Sequence, residues 1–240
     1  MIIRSDKHPK VKKWKALWSG KENASDSFVT THFRVIKRAE KTGLLEELVM
    51  VENAPVPETM IEMDKTLITE EVAEGIVEGK SRFGVIKRPR HSIEQFRRIL
   101  LIDSFKNAGD LGTIIRSARC FGFDGIMLTG DSVDPWCDDT VRSAQENIFD
   151  VPVIRLPFPE AVRMLRENGV FLLTAGQRGS VPLEEVPRSD QMAVLISGTG
   201  TSSPDMIAVS DAVCEPILDN SGPGRLNITA SILMYSFRNI

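Results

Sequence analysis

One stretch constrains the fold of this chain more than any other. An unbroken apolar run, Ile99-Leu100-Leu101-Ile102, gives way to Asn107-Ala108-Gly109-Asp110, and apolar residues then recur at 111, 114, 115, 118 and 121. Apolar residues without alternation suit a strand covered on both faces, and the later spacing suits a helix with one buried stripe. The stretch predicts a strand over 99–103, a glycine-containing turn, and a helix over 110–121. In α/β proteins such a turn, at the carboxyl end of a parallel strand, is where ligands bind. Arg116 lies less than two helical turns past Asp110.

The alternation continues. Residues 125–129, 151–155, 170–174 and 192–197 read as strands. Residues 138–147, 159–167 and 228–237 read as helices, and together they predict a parallel sheet with helices on both faces. Before residue 88 the pattern is denser. Strands are expected at 28–31, 47–51 and 83–87, with helices at 9–19, 33–41, 58–63 and 69–77, which fits a smaller α/β sandwich. Thr69 opens the last of these helices without a capping box, because Val72 stands where Glu or Gln would reach back. The basic, proline-containing Lys87-Arg88-Pro89-Arg90-His91-Ser92 marks the boundary between domains 1–90 and 91–240.

Bulk properties narrow the function classes. Hydrophobic residues make up 42% and charged residues 26% of the 240, a globular balance rather than a disordered one. No apolar run approaches the ~20 residues of a bilayer span, and Met1-Ile2-Ile3-Arg4-Ser5-Asp6 lacks a signal-peptide core. Cys120, Cys137 and Cys214 are scattered, as are His8, His32 and His91. They match no metal-ligand spacing, so no metal is expected, and the thiols read as reduced and cytoplasmic. The net charge of −3 does not advertise nucleic acid. Its distribution is uneven, because Arg4, Lys7, Lys10, Lys12, Lys13, Lys15 and Lys21 face Asp6 alone in the first 21 residues. Val11, Trp14 and Leu17 share one face of the first predicted helix. That helix reads either as an amphipathic element docked by its tryptophans or as an RNA-contacting arm presenting Lys10, Lys12 and Lys13.

Three glycine-bearing loops punctuate the second domain. They are Gly109–Gly112, Gly198-Thr199-Gly200-Thr201-Ser202-Ser203-Pro204, and Asp219-Asn220-Ser221-Gly222-Pro223-Gly224-Arg225-Leu226-Asn227. The second is not a dinucleotide fingerprint, since the third glycine is missing, and it is not a P-loop, since no Gly-Lys-Ser/Thr ending follows. Taken singly, each is an ordinary connection. Together they resemble the SpoU/TrmH branch of the SPOUT RNA methyltransferases. Residues 107–121, 194–200 and 216–234 are similar to that family's three motifs, in order. Residues 8–88 resemble the ribosomal-protein-like RNA substrate-binding domain that many members carry in front.

The resemblance implies a C-terminal parallel sheet tied in a deep trefoil knot, with S-adenosylmethionine held in the knot at the positions of Gly198, Gly200, Pro216, Ile217 and Leu226. It implies a homodimer built through the C-terminal domain, and methyl transfer to a ribose 2′-hydroxyl of rRNA or tRNA. Arg116, Asn227 and Asp110 occupy the catalytic motif positions, and Arg142 and Arg225 stand where RNA contacts are expected. A guanidinium with a pKa above ~12 is a poor base, so Arg116 suits a phosphate clamp. The chain also departs from the family pattern. Asp110 replaces Asn, Gly200 replaces Glu, and Arg225 replaces Ser. The segment around Arg142 lacks its glycine, and the third loop is about two residues long of the usual length. An acid at 110 would pair with Arg116 or repel RNA. The alternative is therefore a knotted RNA-binding paralogue with weak or lapsed catalysis. A third possibility, a plain nucleotide-binding α/β protein, would have an unknotted C-terminus.

Overall fold

The computed structural model describes residues 2–20, 25–176, 180–214 and 226–238. The chain forms two compact units. One comprises Met1–Arg90 with Trp136–Glu146, and the other His91–Pro135 with Asn147–Ile240.

The first unit contains β1 (Ile2–Ile3), α1 (Pro9–Trp18), β2 (Ser27–Thr30), α2 (Phe33–Lys41), β3 (Leu45–Val51), β4 (Lys65–Ile68), α3 (Glu70–Val77) and β5 (Arg82–Lys87). Its sheet runs β1-β4-β3-β5-β2, with β2 and β3 antiparallel to β5 and the remaining pairs parallel. Strand pleating splits the side chains between two faces. Val29, Val49, Phe83 and Val85 pack with Val11, Trp14 and Leu17 of α1 and with Val72 and Ile76 of α3. The opposite face carries Gly84 beneath Ile36 of α2, and Phe28 against Trp136 at 5.0 Å between rings. The predicted helix over 58–63 shrinks to a single 3₁₀ turn, Glu58–Met60. The strands β1 and β4 were not expected. Both are too short for alternation to register, and their pairing partners lie far along the chain.

The segment Trp136–Glu146, read from the sequence as part of the second domain, joins this first unit through α5 (Asp138–Ala144). Asp138 is the reason. Its Oδ1 accepts hydrogen bonds from Thr30 Oγ1 at 2.9 Å and from the Thr31 amide at 3.4 Å, at the end of β2. The expected helix to 147 stops at Ala144 because Gln145 adopts φ 56°.

The second unit is built from β6 (Arg98–Asp103), α4 (Ala108–Phe121), β7 (Gly125–Thr129), β8 (Val153–Arg155), α6 (Phe158–Glu167), β9 (Phe171–Ala175), β10 (Met192–Ser197), α7 (Pro204–Ala208), β11 (Ala212–Cys214) and α8 (Leu226–Ser236). All its described strands are parallel, in the order β11-β9-β10-β6-β7-β8. The apolar runs of β6 and β10 pair in register from Arg98–Met192 to Asp103–Ser197, and Ile99–Ile102 and Ala193–Ile196 are fully or almost fully buried. Short β11 and α7 went unanticipated. The polar run Thr201-Ser202-Ser203 hides a helix start, in which Ser203 accepts from the Met206 amide.

Candidate active site

The strand order reverses between β6 and β10. The chain leaves β6 toward β7 and β8, then returns on the other side through β9 and β10. Loops leaving adjacent parallel strands in opposite directions open a crevice at the carboxyl edge. Four strand ends meet there.

Gly198, the first residue past β10, lies against the turn that follows β6. Its amide donates to Asp103 O at 2.6 Å, and a Cβ built on it would fall 2.4 Å from Ser104 O and 2.5 Å from Phe105 Cα. Only glycine permits that backbone-to-backbone approach. Ser104 takes left-handed φ 56°, a conformation that costs a non-glycine residue roughly 1–2 kcal/mol. The strain is held by Ser104 N donating to Thr129 O at 3.1 Å, Ser104 Oγ to Asp103 Oδ2 at 2.9 Å, and Thr129 Oγ1 to Asp103 Oδ1 at 2.7 Å.

On the other side, the loop after β10 docks on β9 through Ser202 Oγ, which donates to Ala175 O at 2.6 Å. Gly176 then sits against Ser202 and against Val213 of β11. Gly200 has φ 81°, which aims its backbone in a direction an L-residue resists. The corner Asp103-Ser104-Thr129 was missed from the sequence. Its signal was the polar pair directly following an apolar strand.

α4 begins as its sequence dictates. Asn107 caps it, accepting from the Asp110 amide at 3.0 Å. Asp110 sits in the first turn, where a carboxylate favours the positive end of the helix dipole. It does not pair with Arg116. Six residues at 100° each place the two about 120° apart around the helix, and among the described residues neither side chain has an ion pair or hydrogen bond. Arg116 is exposed on the outer face of α4.

α8 packs along α4. Ser117 and Ser231 share a 2.8 Å hydrogen bond, and Phe121 meets Tyr235 edge-on at 5.8 Å. Thr113 and Asn227 together line a groove of about 340 Å³ between the two helices. Leu226 and Asn227 form the first turn of α8 and are partly buried, and Asn227 Oδ1 accepts from the Ile228 amide at 2.9 Å. The far end of α8 is anchored by Arg98, whose Nε donates to Phe237 O at 2.5 Å, and by the Arg188 guanidinium, 4.9 Å from the Phe237 ring. Cations belong at a helix carboxyl terminus.

The other expected site residues fall elsewhere. Pro216, Ile217 and Arg225 lie outside the described residues. Arg142 is on α5, in the first unit, and its Nη2 pairs with Asp139 at 2.5 Å. Lys10 is taken by Glu47 at 2.5 Å, and the same carboxylate also accepts from Trp14 Nε1 and Thr66 Oγ1. Lys12 and Lys13 are exposed on α1 without a partner among the described residues. Among the described residues no cluster of His, Cys, Asp and Glu could hold a metal, and no helix is long and apolar enough to cross a membrane. Burial pushes the Cys214 thiol up to about 11, so it stays protonated and unreactive.

Fold and site together define a parallel α/β enzyme domain whose carboxyl-edge loops are drawn tight around one crevice beside an unpaired arginine. Residues 97–203 match the SpoU rRNA Methylase family, and the chain belongs to it. A relative of nearly the same length is the 23S rRNA (guanosine(2553)-2′-O)-methyltransferase RlmP of Bacillus subtilis, 27% identical over 246 residues that cover 98% of each chain. Among solved structures, an rRNA methyltransferase from Sinorhizobium meliloti superposes with a TM-score of 0.81 at 22% identity, covering 98% of this chain and 96% of that one. The SpoU methyltransferase AviRb from Streptomyces viridochromogenes gives 0.79 at 18% identity, covering 95% and 96%. Both proteins have also been solved with AdoMet bound.

Proposed function

We propose that this chain is an S-adenosylmethionine-dependent RNA methyltransferase that methylates a ribose 2′-hydroxyl of ribosomal RNA in the cytoplasm. The observation that carries the reading is the meeting of the β6, β10, β9 and β11 ends at one edge, with the three motif segments that are described converging on it. The residues fit the donor. The loop 198–203 offers main-chain amides and carbonyls and the exposed hydroxyls of Thr199 and Thr201, and Leu226 offers an apolar wall. Pro216 and Ile217 complete the proposed cradle. Bound there, the donor supplies an already electrophilic methyl carbon. The protein's part is to align the hydroxyl and ease departure of its proton. Arg116, exposed and always charged, clamps an RNA phosphate with its two-pronged guanidinium. Asn227, at the head of α8, orients the ribose. Asp110 serves α4 as a first-turn acid and leaves Arg116 free, so this departure does not disable the arginine. Residues 1–90 serve as the RNA substrate-binding domain.

We propose further that the C-terminal segment is threaded as a deep trefoil knot, which the strand order and the packing of α8 on α4 support. A second copy of the chain covers α8. Ile228, Ile232 and Tyr235 form an exposed apolar stripe there, with Ile228 56% and Tyr235 53% accessible, and single exposed apolar residues rarely line up this way in a monomer.

Transfer of a radiolabelled methyl group from S-adenosylmethionine to unmodified 23S rRNA tests the function. The label is expected at a 2′-oxygen, read as a dinucleotide resistant to alkaline hydrolysis. Label on a base, or absence of heat on titration with high-micromolar S-adenosylmethionine, overturns the reading.

A further inference from the structure

The lysine-rich α1 looks like the nucleic-acid surface of the first unit, but its cations are half committed, with Lys10 bound to Glu47 and Lys15 to Asp6 at 3.1 Å. The opposite face of the same sheet carries a cleaner feature. α2 presents Arg34, Lys37 and Lys41 at helical spacing, with its apolar residues Val35, Ile36 and Ala39 buried against the sheet. Arg34 and Lys41 are exposed and Lys37 partly so, and none of the three has a carboxylate at ion-pair distance among the described residues. Glu40 is the sole acid within α2.

α5 lies on the same face. Arg34 Nη1 donates to Gln145 Oε1 at 3.3 Å, and Arg142 stands three residues earlier with its head group in solvent. The acids nearby are accounted for. Asp138 is tied to Thr30 and Thr31, Asp139 pairs with Arg142, and Glu146 faces His32. Arg34 to Lys41 spans about 10 Å along the helix, roughly three phosphates of one strand at about 3.4 Å of axis each. The cations therefore match a run of phosphodiesters rather than a single anion.

Resting on the RNA-methyltransferase reading, we propose that the α2–α5 face, through Arg34, Lys37, Lys41 and Arg142, is the RNA-backbone surface of the first unit, and that the lysines of α1 are not. The surface is sequence-independent. It holds the substrate by phosphate contact and leaves choice of nucleotide to the second unit. α5 reaches this face although its residues fall within the chain of the methyltransferase unit, so one polypeptide insertion contributes to substrate holding.

The test compares Arg34→Gln/Lys37→Gln/Lys41→Gln with Lys12→Gln/Lys13→Gln in filter binding to 23S rRNA transcribed in vitro, across a salt series. Glutamine keeps helix propensity, and thermal melting of both variants verifies the fold. The α2 variant is expected to bind about 10- to 100-fold more weakly at low salt, with the slope of log affinity against log salt shallower by about 2. The α1 variant is expected to keep the wild-type slope, and S-adenosylmethionine titration is expected to be the same for all three proteins. An unchanged slope for the α2 variant, or an equal loss for the α1 variant, overturns this surface while wild-type methyl transfer leaves the enzyme reading intact. A wild-type chain that binds no rRNA overturns both.

Discussion

Replacing Gly198 by alanine probes the contact on which the crevice depends. The new Cβ would lie 2.4–2.6 Å from three backbone atoms of Ser104 and Phe105, and ordinary van der Waals contact begins near 3.4 Å. No flexible side chain can yield, so the two backbones must part by about 1 Å. The Gly198 amide bond to Asp103 O, at 2.6 Å, is lost as they do. Overpacking of this kind costs roughly 1–3 kcal/mol and a buried hydrogen bond about 1 more. For a chain of this size that lowers the melting temperature by about 5–15 °C. The displaced loop 198–203 is also the proposed donor cradle, so S-adenosylmethionine affinity is expected to fall with it. Differential scanning calorimetry and isothermal titration read the two effects separately. Gly200→Ala is the companion. There the conflict is φ 81°, worth roughly 1–2 kcal/mol, and its melting loss is expected to be the smaller. A Gly198→Ala protein that melts with the wild type and binds the donor equally well would refute the close approach as the organiser of the site.

The remaining expectations concern chemistry and pH. Arg116→Ala should cut methyl transfer by about 100-fold or more, with stability within about 0.5 kcal/mol of wild type because the side chain touches nothing in the fold. Unchanged donor affinity supports the clamp, and a parallel loss of donor binding refutes it. His91 has its pKa lowered by burial, and its Nδ1 accepts the Val153 amide at 3.0 Å, a bond that needs the unprotonated nitrogen. The folded state therefore binds fewer protons than the unfolded one. The stabilisation is complete above the ordinary histidine value of 6.5 and is lost as pH falls below it. Urea melts between pH 5 and 7 should show this slope in the wild type and a flatter one in His91→Asn, and equal slopes would refute the assignment.

Long, strongly patterned elements were legible in the sequence. β6, β7 and β10 are continuous apolar runs, and α2 and α6 carry one-sided stripes bounded by glycine turns, so local composition and period sufficed. Short elements held by distant partners were not. β1, with two residues, exists because Ile2 and Ile3 pair with Leu67 and Ile68, and no pattern of two residues foretells that. The site divides along the same line. Arg116 and Asn227 stand in recognisable motif positions, whereas the strained Ser104 corner arises from contacts between β6, β7 and β10. The expected meeting of Asp110 with Arg116 failed for a geometric reason, since residues six apart on a helix do not share a face.

By itself, then, the sequence determined the two α/β layers, the parallel character of the second sheet, and the glycine loops at its strand ends. Tertiary structure alone decided that α5 leaves its sequence neighbours for the first unit, that Glu47 takes Lys10, and that α2 carries the free cations. The physical reason is common to all three. Periodicity is a property of consecutive residues, but the pairing of a charge or a strand edge depends on which groups the fold brings within a few ångströms, and those groups are far apart along the chain.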